Sequence, residues 1–357
     1  MLPMKKRIVL ACGGTGGHIN PALAVAEVLR QCGHELALIL SGTREAEAHA
    51  AAKWQGKLLR SGARRISDPR NLLAWWRCLR FLREYHPDVL FATGGYTCVA
   101  PVLAARFLKI PVVLHEANSL PGKAIVWLSK HFRIAVVATS FAETAAKMPW
   151  VKSVYTGLPL RESVVAVIKR AQQMEHPAGQ FSVLVTGGSQ GARGLDRLVA
   201  PVLASLAKSD CQVRVVHQCC KHEVEWVRAV YKETPDQVTV VSFIEDMGAA
   251  YGRADLAIAR AGAATCCELA CCAVPTIFIP LPTAVDDHQR KNAEALVRCG
   301  GALCFDQLTT SPDDLAEAVR QFYSDPLLRR TMREALLDLP HPDAARSVAE
   351  LILSVAR

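Results

Sequence analysis

The sequence contains no long hydrophobic run. No apolar stretch reaches the roughly 20 residues that a membrane-spanning helix needs. The apolar stretch nearest the N-terminus, residues 8–12, is shorter than the core of a signal peptide and is typical of a first β-strand. We therefore expect a cytoplasmic chain that does not cross the membrane.

The sequence also lacks the cysteine spacing of a metal site or a disulfide framework. Its thirteen cysteines are odd in number, include no Cys-x-x-Cys pair and lie mostly inside apolar strand or helix patterns. The four cysteines at 266, 267, 271 and 272 have no second Cys or His pair at a usual zinc spacing. This pattern predicts reduced, buried thiols and no metal site.

Acidic residues are scarce in the first quarter of the chain. Residues 1–83 hold fourteen Lys and Arg against five Asp and Glu, an excess equal to the formal net charge of +9 of the whole chain. A charge excess confined to one region indicates an anionic partner there, such as a membrane surface, a nucleic acid or a phosphorylated substrate. No nucleic-acid-binding module accompanies it, so we expect no nucleic-acid partner.

The apolar pattern predicts an α/β protein with parallel sheets. A length of 357 residues favours two domains, which we place at 1–158 and 159–342, with a final helix at 343–357 that packs back on the first. Continuous apolar strands separated by helical patterns are typical of sheets covered on both faces. The predicted strands are 8–12, 36–40, 89–92, 112–115, 135–138, 183–186, 213–217, 238–243, 256–259, 276–279 and 302–305.

Three segments run from an apolar strand through paired glycines into a helix. They are residues 7–29, 88–108 and 181–203. Glycine allows close backbone approach, and the free N–H groups at a helix start attract a phosphate. Such turns also occur as plain connectors, but three of them with doubled glycines favour a ligand site. The first and third lie half a chain apart, which indicates two nucleotide-binding-like halves.

The first turn lacks the features of two common nucleotide sites. Ile19 departs from the dinucleotide fingerprint, no carboxylate ends the second strand, and no Gly-Lys-Ser/Thr is present. A nicotinamide or flavin enzyme and a P-loop kinase are therefore disfavoured. The turn offers backbone N–H groups, a Thr hydroxyl and the His18 imidazole, which suit a sugar or a pyrophosphate.

In the second half, Glu268 falls in the first turns of the helix that follows strand 256–259. A carboxylate there can accept both hydroxyls of a ribose while the helix start receives phosphate. A surface glutamate is the plainer alternative. The neighbouring acids Asp286 and Asp287 lack partner ligands for a metal.

The helix predicted at residues 70–85 is amphipathic and rich in arginine. Apolar residues at three- and four-residue spacings are Leu72, Trp75, Trp76, Leu79 and Leu82, and the arginines around them are Arg70, Arg77, Arg80 and Arg83. The stripe suits a core face and, equally, docking onto an anionic bilayer.

These residues together resemble one family. GGTGGHINPALA from Gly13, GGY at 94–96, HEAN at 115–118, GGSQGAR at 187–193, RAGAATCCE at 260–268 and HQRKNA at 288–293 are similar, in order, to the motifs of the MurG family. Its members, of glycosyltransferase family 28, transfer N-acetylglucosamine from UDP to lipid-linked muramyl-pentapeptide in peptidoglycan synthesis. The resemblance covers nearly the whole chain and implies a GT-B fold, two Rossmann-like domains with parallel sheets facing across a cleft.

The resemblance also implies which residues bind UDP-N-acetylglucosamine. In it, Ser189 caps the diphosphate, Glu268 binds the ribose hydroxyls and Gln289 reaches the sugar hydroxyls, while Asn118 and Arg161 contribute between the domains and the Ile244 backbone contacts uracil. The full implied set is Thr15, Gly16, Gly17, Asn118, Arg161, Ser189, Ile244, Ala263, Ala264, Thr265, Cys266, Cys267, Glu268, Gln289 and Asn292.

Several positions depart from the family pattern. Leu158 stands where the family has Asn, and Cys219 and Cys220 replace small polar residues or glycine. Ala117 replaces a frequent Gln, and Cys267 replaces a common Ser. None of these changes removes a charged group, so we expect altered affinity and retained activity.

The implied reaction is an inverting displacement by the muramyl 4-hydroxyl of undecaprenyl-pyrophosphoryl-MurNAc-pentapeptide. Its general base is predicted to be His18, with Glu116 as the weaker candidate, because imidazole titrates near working pH. An orienting role for His18 remains the alternative. Helix N-termini, Ser189 and Arg161 would stabilise the leaving diphosphate without an essential metal or other cofactor.

A lipid-linked acceptor implies a peripheral protein on the cytoplasmic face of the bacterial inner membrane. The residues predicted to contact the membrane or acceptor are Leu72, Trp75, Trp76, Leu79, Arg77, Arg80 and Tyr96. Three alternatives stay open: a GT-B glycosyltransferase with another lipid or small-molecule acceptor, a UDP-sugar epimerase, and a non-catalytic nucleotide-sugar-binding scaffold.

Overall fold

The computed structural model describes residues 5–14, 16–42, 45–64, 68–160, 164–166, 180–188, 191–209, 212–339 and 343–357. The chain divides into two compact units. The first comprises Met1–Arg161 with Asp343–Arg357, and the second comprises Glu162–Pro342.

Seven strands and seven helices are described in the first unit. The strands are β1 (Arg7–Ala11), β2 (Glu35–Leu40), β3 (Lys57–Arg60), β4 (Val89–Ala92), β5 (Val112–Glu116), β6 (Val136–Thr139) and β7 (Ser153–Tyr155). The helices are α1 (Gly16–Gln31), α2 (Glu45–Lys53), α3 (Asn71–Tyr85), α4 (Val99–Phe107), α5 (Lys123–His131), α6 (Ala142–Ala146) and the C-terminal helix (Ala344–Val355).

The seven strands form one parallel sheet in the order β3-β2-β1-β4-β5-β6-β7. Alternate residues of each strand enter different cores because side chains alternate across a strand. Val9 and Leu90 pack with α3, α4 and α5 on one face. Ile8 and Phe91 pack on the other face with α1 and with Val348 of the C-terminal helix. The C-terminal helix belongs to the first unit because it packs on this face of the first sheet.

The described part of the second unit contains six strands and seven helices. The strands are β8 (Phe181–Thr186), β9 (Val213–Gln218), β10 (Val238–Val241), β11 (Leu256–Ala259), β12 (Thr276–Phe278) and β13 (Ala302–Cys304). The helices are α7 (Arg193–Lys208), α8 (Val224–Val230), α9 (Met247–Arg253), α10 (Ala263–Cys271), α11 (His288–Arg298), α12 (Pro312–Ser324) and α13 (Pro326–Leu337); the C-terminal helix Ala344–Val355 is α14.

The second sheet is also parallel, in the order β10-β9-β8-β11-β12-β13. Its largest core cluster joins β8 and β9 to α7 and α12 through Val183, Leu203 and Phe322, each at most 1% exposed. Local sequence sets the helix starts here. Helix α12, for example, begins with a capping box in which Ser311 and Asp314 satisfy each other's backbone N–H groups, followed by a proline at the first position.

All eleven predicted strands are present, and the predicted α/β class with two parallel-sheet units is confirmed. Their ends differ by one or two residues; β10, for instance, stops at Val241 because Phe243 is 63% exposed and has left the sheet. The pattern missed β3 and β7. Both are edge strands: β3 has two exposed and two half-buried residues, and β7 has three half-buried residues, so neither shows a continuous apolar run.

Candidate active site

In each unit the glycine turns lie where the strand order reverses. In the first sheet β1 and β4 are neighbours, although β2 and β3 come between them in the chain. In the second sheet β8 and β11 are neighbours in the same way. Open α/β sheets bind ligands beyond the carboxyl ends of the strands at such switch points. The turn after each of these four strands is therefore a candidate ligand-binding loop.

The turn after β1 and the turn after β4 meet in the first unit. A Cβ on Gly95 would lie 3.4 Å from the Nε2 atom of His18, so this imidazole faces the GGY turn closely. His18 is half-buried in the first turn of α1, and Tyr96 is half-buried beside Gly95. The structure thus brings together the candidate base and Tyr96's turn, which the sequence separates by nearly eighty residues.

Glu116 ends β5 and organises the loop that follows it. Its Oε1 accepts hydrogen bonds from the Asn118 backbone N–H (2.9 Å) and side chain (3.2 Å), and its Oε2 accepts from the Gly122 N–H (2.8 Å). Burial raises the pKa of this carboxyl group, and the hydrogen bonds from Asn118 and Gly122 oppose that rise. The geometry gives Glu116 and Asn118 a loop-holding role.

His115 precedes Glu116 and is fully buried. Its Nε2 lies 3.1 Å from the Ser140 hydroxyl. Burial, with a smaller contribution from the nearby His18, lowers the pKa of His115 to about 4, so His115 is neutral at physiological pH.

In the second unit the turn after β8 is held from beneath by Gln218 at the end of β9. The Gln218 Oε1 accepts from the Thr186 hydroxyl (2.5 Å), and its Nε2 donates to the Gly188 carbonyl (2.8 Å). That carbonyl also accepts from the Gly191 N–H (3.0 Å). Gly191 itself has φ +68°, and a Cβ there would clash with the backbone nitrogen of Cys220. The turn is therefore closed by contacts that only glycine permits.

A buried polar chain supports the same turn from α7. Asp196 accepts from the Cys220 N–H (3.0 Å) and lies 3.3 Å from the Nε2 of His217, whose Nδ1 lies 3.1 Å from the Tyr231 hydroxyl. Asp196 and His217 are fully buried. Cys219 and Cys220 thus lie in the turn after β9, which the hydrogen bond from the Cys220 backbone N–H to Asp196 holds in place.

Glu268 lies in the second turn of α10 and is only 7% exposed. The Tyr251 hydroxyl donates to its Oε2 at 2.9 Å, which orients the carboxylate. Gly262 caps the helix without a side-chain hydrogen bond, so backbone N–H groups of the first turn face outward at this end. Ala263, Ala264, Thr265 and Cys267 are half-buried there.

Cys266 and Asn292, both in the predicted donor set, are fully buried. Cys266 belongs to the interior side of α10, and burial raises the pKa of its thiol. The Asn292 side chain donates to the Ala261 carbonyl at 3.1 Å and so holds the turn after β11. Gln289 is half-buried and accepts from the Leu281 N–H at 2.9 Å. Ile244 is half-buried in the loop between β10 and α9.

Arg260, a buried residue, reinforces this turn. Its guanidinium donates to the carbonyls of Ile279 (2.8 Å) and Pro280 (2.9 Å) and to the side chain of Gln307. Burial lowers the pKa of Arg260 to about 10, so the group is still charged at physiological pH. It ties the ends of β11 and β12 together beneath the candidate site.

Helix α3 divides its predicted membrane residues between the core and the surface. Leu79 is 7% exposed and packs in the core. Trp75 is half-buried and packs edge-on against Phe107 (5.8 Å between ring centroids). Leu72 is 72% exposed, and Trp76 is 53% exposed.

The exposed apolar side chains of α3 and α4 form one patch, named here the α3–α4 patch, and a basic edge flanks it. The patch comprises Leu72, Leu73, Trp76 and Phe107. Arg77 and Arg80 lie on the exposed side of α3, and Arg80 pairs with Glu84 at 2.7 Å. In the predicted apolar stripe of α3, Leu79 and Leu82 are therefore core residues, and Leu72 and Trp76 are accessible to a partner.

Thr15, Arg161 and Ser189 lie outside the described residues. Within the described ranges, no three His, Cys, Asp or Glu side chains are clustered as metal ligands would be. No helix in the described part of the chain combines the length and the apolarity that a bilayer-spanning segment requires.

Sequence reasoning missed three residues that shape these turns. Gln218 and Tyr251 were described above, and the third is Glu47, whose buried carboxylate accepts from the Gly14 N–H at 2.6 Å. Their partners lie 30, 17 and 33 residues away in the chain. The position of Gln218 at the end of an apolar strand was the one available signal.

Comparison with known proteins agrees with this architecture. Residues 8–136 match the glycosyltransferase family 28 N-terminal domain, and residues 182–348 match the family 28 C-terminal domain. The two sheets with glycine turns at their switch points are therefore those of a family 28 glycosyltransferase.

Relatives narrow the class further. The chain is 36% identical over 365 residues to the UDP-N-acetylglucosamine–N-acetylmuramyl-(pentapeptide) pyrophosphoryl-undecaprenol N-acetylglucosamine transferase of Dechloromonas aromatica, covering 99% of this chain and all of that protein. Identity to the Geobacter sulfurreducens protein of the same name is 33%, with 98% and 99% covered. The crystal structure of Acinetobacter baumannii MurG matches with a TM-score of 0.82 at 32% identity, covering 98% of this chain and 99% of that one. The chain belongs to this transferase family, as its motifs predicted.

More distant structures share the fold alone. The UDP-GlcNAc 2-epimerase of Neisseria meningitidis, solved with UDP-GlcNAc, is 14% identical with a TM-score of 0.72, covering 98% of this chain and all of that one.

Proposed function

We propose that this protein transfers N-acetylglucosamine from UDP-N-acetylglucosamine to the muramyl 4-hydroxyl of undecaprenyl-pyrophosphoryl-MurNAc-pentapeptide. The observation that carries the proposal is full-length membership of a family whose members are named for this reaction. The switch-point turns of both units supply the residue types that such a transfer needs.

The donor is assigned to the second unit. Its nucleotide meets the outward N–H groups at the start of α10, where the helix dipole favours a diphosphate. Glu268, oriented by Tyr251, accepts the ribose hydroxyls, and the Ile244 backbone contacts uracil. The turn after β8, with Ser189, caps the diphosphate. Gln289 reaches the hydroxyls of the sugar.

Gln218→Leu tests the support of the turn after β8. The variant keeps the side-chain volume but removes both hydrogen bonds that Gln218 makes in the interior. Leaving buried polar groups unpaired costs about 1–3 kcal/mol, so we expect UDP to bind roughly 5- to 100-fold more weakly in calorimetry. Gln321→Leu, an exposed change on α12, should leave the affinity unchanged. An unchanged affinity in Gln218→Leu would contradict a role in donor binding.

The chemistry is a single displacement at the anomeric carbon. The acceptor oxygen forms the new glycosidic bond, the bond to the UDP oxygen breaks, and the anomeric centre inverts. His18 removes the proton of the attacking hydroxyl. Negative charge that develops on the departing diphosphate is stabilised by helix N-termini, Ser189 and Arg161, so the reaction needs no added metal.

The first unit is assigned to the cytoplasmic face of the inner membrane, where a lipid-linked acceptor resides. The α3–α4 patch supplies apolar area, and the basic excess of residues 1–83 supplies attraction to anionic lipids. Tyr96 lies at the turn that faces His18, on the acceptor side of the reaction.

Leu72→Ser combined with Trp76→Ser tests membrane docking. Burying each such side chain is worth about 1.5–3 kcal/mol, so the double variant should bind vesicles containing anionic lipid at least about 100-fold more weakly in sedimentation. Both side chains are exposed, so UDP affinity and thermal stability should not change. The matched control is Leu308→Ser with Leu327→Ser, equally exposed in the second unit. Equal vesicle binding by both double variants would show that the patch is not the docking surface.

The decisive experiment incubates the full chain with labelled UDP-N-acetylglucosamine and a muramyl-pentapeptide lipid analogue, with and without chelator. We expect acceptor-dependent transfer in both conditions. Transfer that stops with chelator would overturn metal independence alone. Formation of an epimer or free sugar without acceptor, or transfer only to other acceptors, would overturn the proposed reaction.

A further inference from the structure

Gln307, in the loop after β13, contacts both helices that begin at the switch point of the second sheet. Its side-chain amide meets Arg260, which precedes α10, and Gly194, which lies in the first turn of α7. Helix α7 follows β8 and helix α10 follows β11, the two neighbouring strands at which the strand order reverses. One half-buried amide therefore joins the two helix starts at the place where such sheets bind ligands.

The contact with Arg260 satisfies part of a buried charge. Arg260 is 5% exposed, and its Nη2 donates to the Gln307 Oε1 while its Nη1 donates to the carbonyls of Ile279 and Pro280. These acceptors are uncharged oxygens, and a buried cation that loses one of them is strongly destabilised. The guanidinium would then have to move. Because Arg260 leads through residues 261–262 directly into α10, we expect the start of that helix to shift with it.

The contact with α7 depends on the absence of a side chain at Gly194. A Cβ there would lie 2.7 Å from the Gln307 Oε1 and 2.9 Å from its Nε2. Both distances are shorter than van der Waals contact, so a larger residue would displace the amide or shift the first turn of α7. That turn packs directly on the turn after β8, since a Cβ on Gly187 would overlap the backbone nitrogen of Ala192, the N-cap of α7.

A charge on α7 acts on Arg260 as well. Burial lowers the pKa of Arg260, and the negative charge of Asp196 on α7 opposes that fall. Asp196 is fully buried, and opposite charges attract more strongly in the protein interior than in water. The amide of Gln307 therefore fixes by a hydrogen bond the same approach of α7 and Arg260 that this attraction favours.

We propose that Gln307 is a positioning residue of the donor site, which sets the separation between the starts of α7 and α10. The inference rests on the donor assignment of the proposed function. There the diphosphate meets both the start of α10 and the turn after β8, whereas the nucleoside meets only Glu268 and the Ile244 backbone. A change in the separation should therefore weaken the binding of UDP and leave the binding of uridine unaffected.

Gln307→Ala tests the proposal by removing the amide. The loss of one hydrogen bond to a charged group should weaken UDP binding about 10-fold in calorimetry, with uridine affinity within about twofold of the wild type. Gln321→Ala, an exposed change on α12, is the matched control and should bind both ligands as the wild type does. An unchanged UDP affinity in Gln307→Ala would overturn the proposal. A parallel loss of UDP and uridine affinity would overturn it too, because it indicates general damage.

Gly194→Ala tests the same contact from the other side and decides the question if Gln307→Ala does not fold. Alanine is the better helix former, so a loss has to come from the clash with Gln307. Alone, the change should weaken UDP binding about 10-fold and spare uridine; added to Gln307→Ala, it should cause no further loss. An unchanged UDP affinity in Gly194→Ala, or additive losses in the double variant, would contradict the proposal. Wild-type protein is measured in parallel, because a wild type that does not bind UDP rejects the proposed function itself.

Discussion

His18→Ala is expected to lower kcat for transfer by about 10²–10⁴ while UDP binds with unchanged affinity. The magnitude is that of losing a general base. His18 stands in the first turn of α1 with its Nε2 toward the turn after β4, so the imidazole is held by two elements of one sheet edge. The neighbouring imidazole of His115 is buried, and its pKa of about 4 prevents it from taking over the proton. Stopped assays with saturating donor and acceptor give kcat, and calorimetry gives the UDP affinity.

Two observations separate a base from an orienting group. A general base imposes an acid limb on the pH profile of kcat, because its protonated form is inactive, and His18→Ala should lose that limb. His222→Ala, an exposed change in the second unit, should keep both rate and profile. A His18→Ala rate within a few-fold of the wild type would assign His18 to orientation and leave the base elsewhere.

Glu268→Gln is expected to weaken UDP binding by about 10- to 100-fold with a smaller change in kcat. Hydrogen bonds to a charged acceptor contribute about 1.5–3 kcal/mol each, and the amide of Gln is uncharged and has one acceptor oxygen in place of two. The ribose is remote from the anomeric carbon, so the lost interaction is shared by ground and transition states and raises KM. Isothermal calorimetry with UDP measures the effect directly.

Removing the Tyr251 hydroxyl should weaken UDP binding in the same way, but by less than Glu268→Gln. Tyr251→Phe keeps a ring that is 2% exposed and removes the 2.9 Å hydrogen bond to Glu268. A loss of about 1 kcal/mol, or roughly fivefold in UDP affinity, should follow. Glu225→Gln, whose side chain is 89% exposed, should have no effect. UDP affinity within twofold of the wild type in Glu268→Gln would remove this carboxylate from the donor site.

In helix α3 (71–85) the sequence pattern predicted the helix but not which of its apolar residues are buried. Its three- and four-residue spacing identified the helix, and the amphipathic stripe was consistent with both a core face and a membrane face. The structure places Leu79 in the core and leaves Trp76 exposed, although both belong to the predicted stripe. Spacing shows that residues share a side of a helix. How much of that side α4 covers depends on packing between elements.

Local pattern alone determined eleven of the thirteen described strands, the glycine turns after β1, β4 and β8, and the motif order that marks the family. These features depend on neighbours within a few residues, since alternation, apolar runs and glycine act through the local backbone. Tertiary structure alone decided that His18 faces Gly95, that Glu47 binds the turn after β1 and that Gln218 supports the turn after β8. Each of these contacts joins groups from different strands or helices, and buried polar groups find their partners only when the parallel sheet brings those ends together.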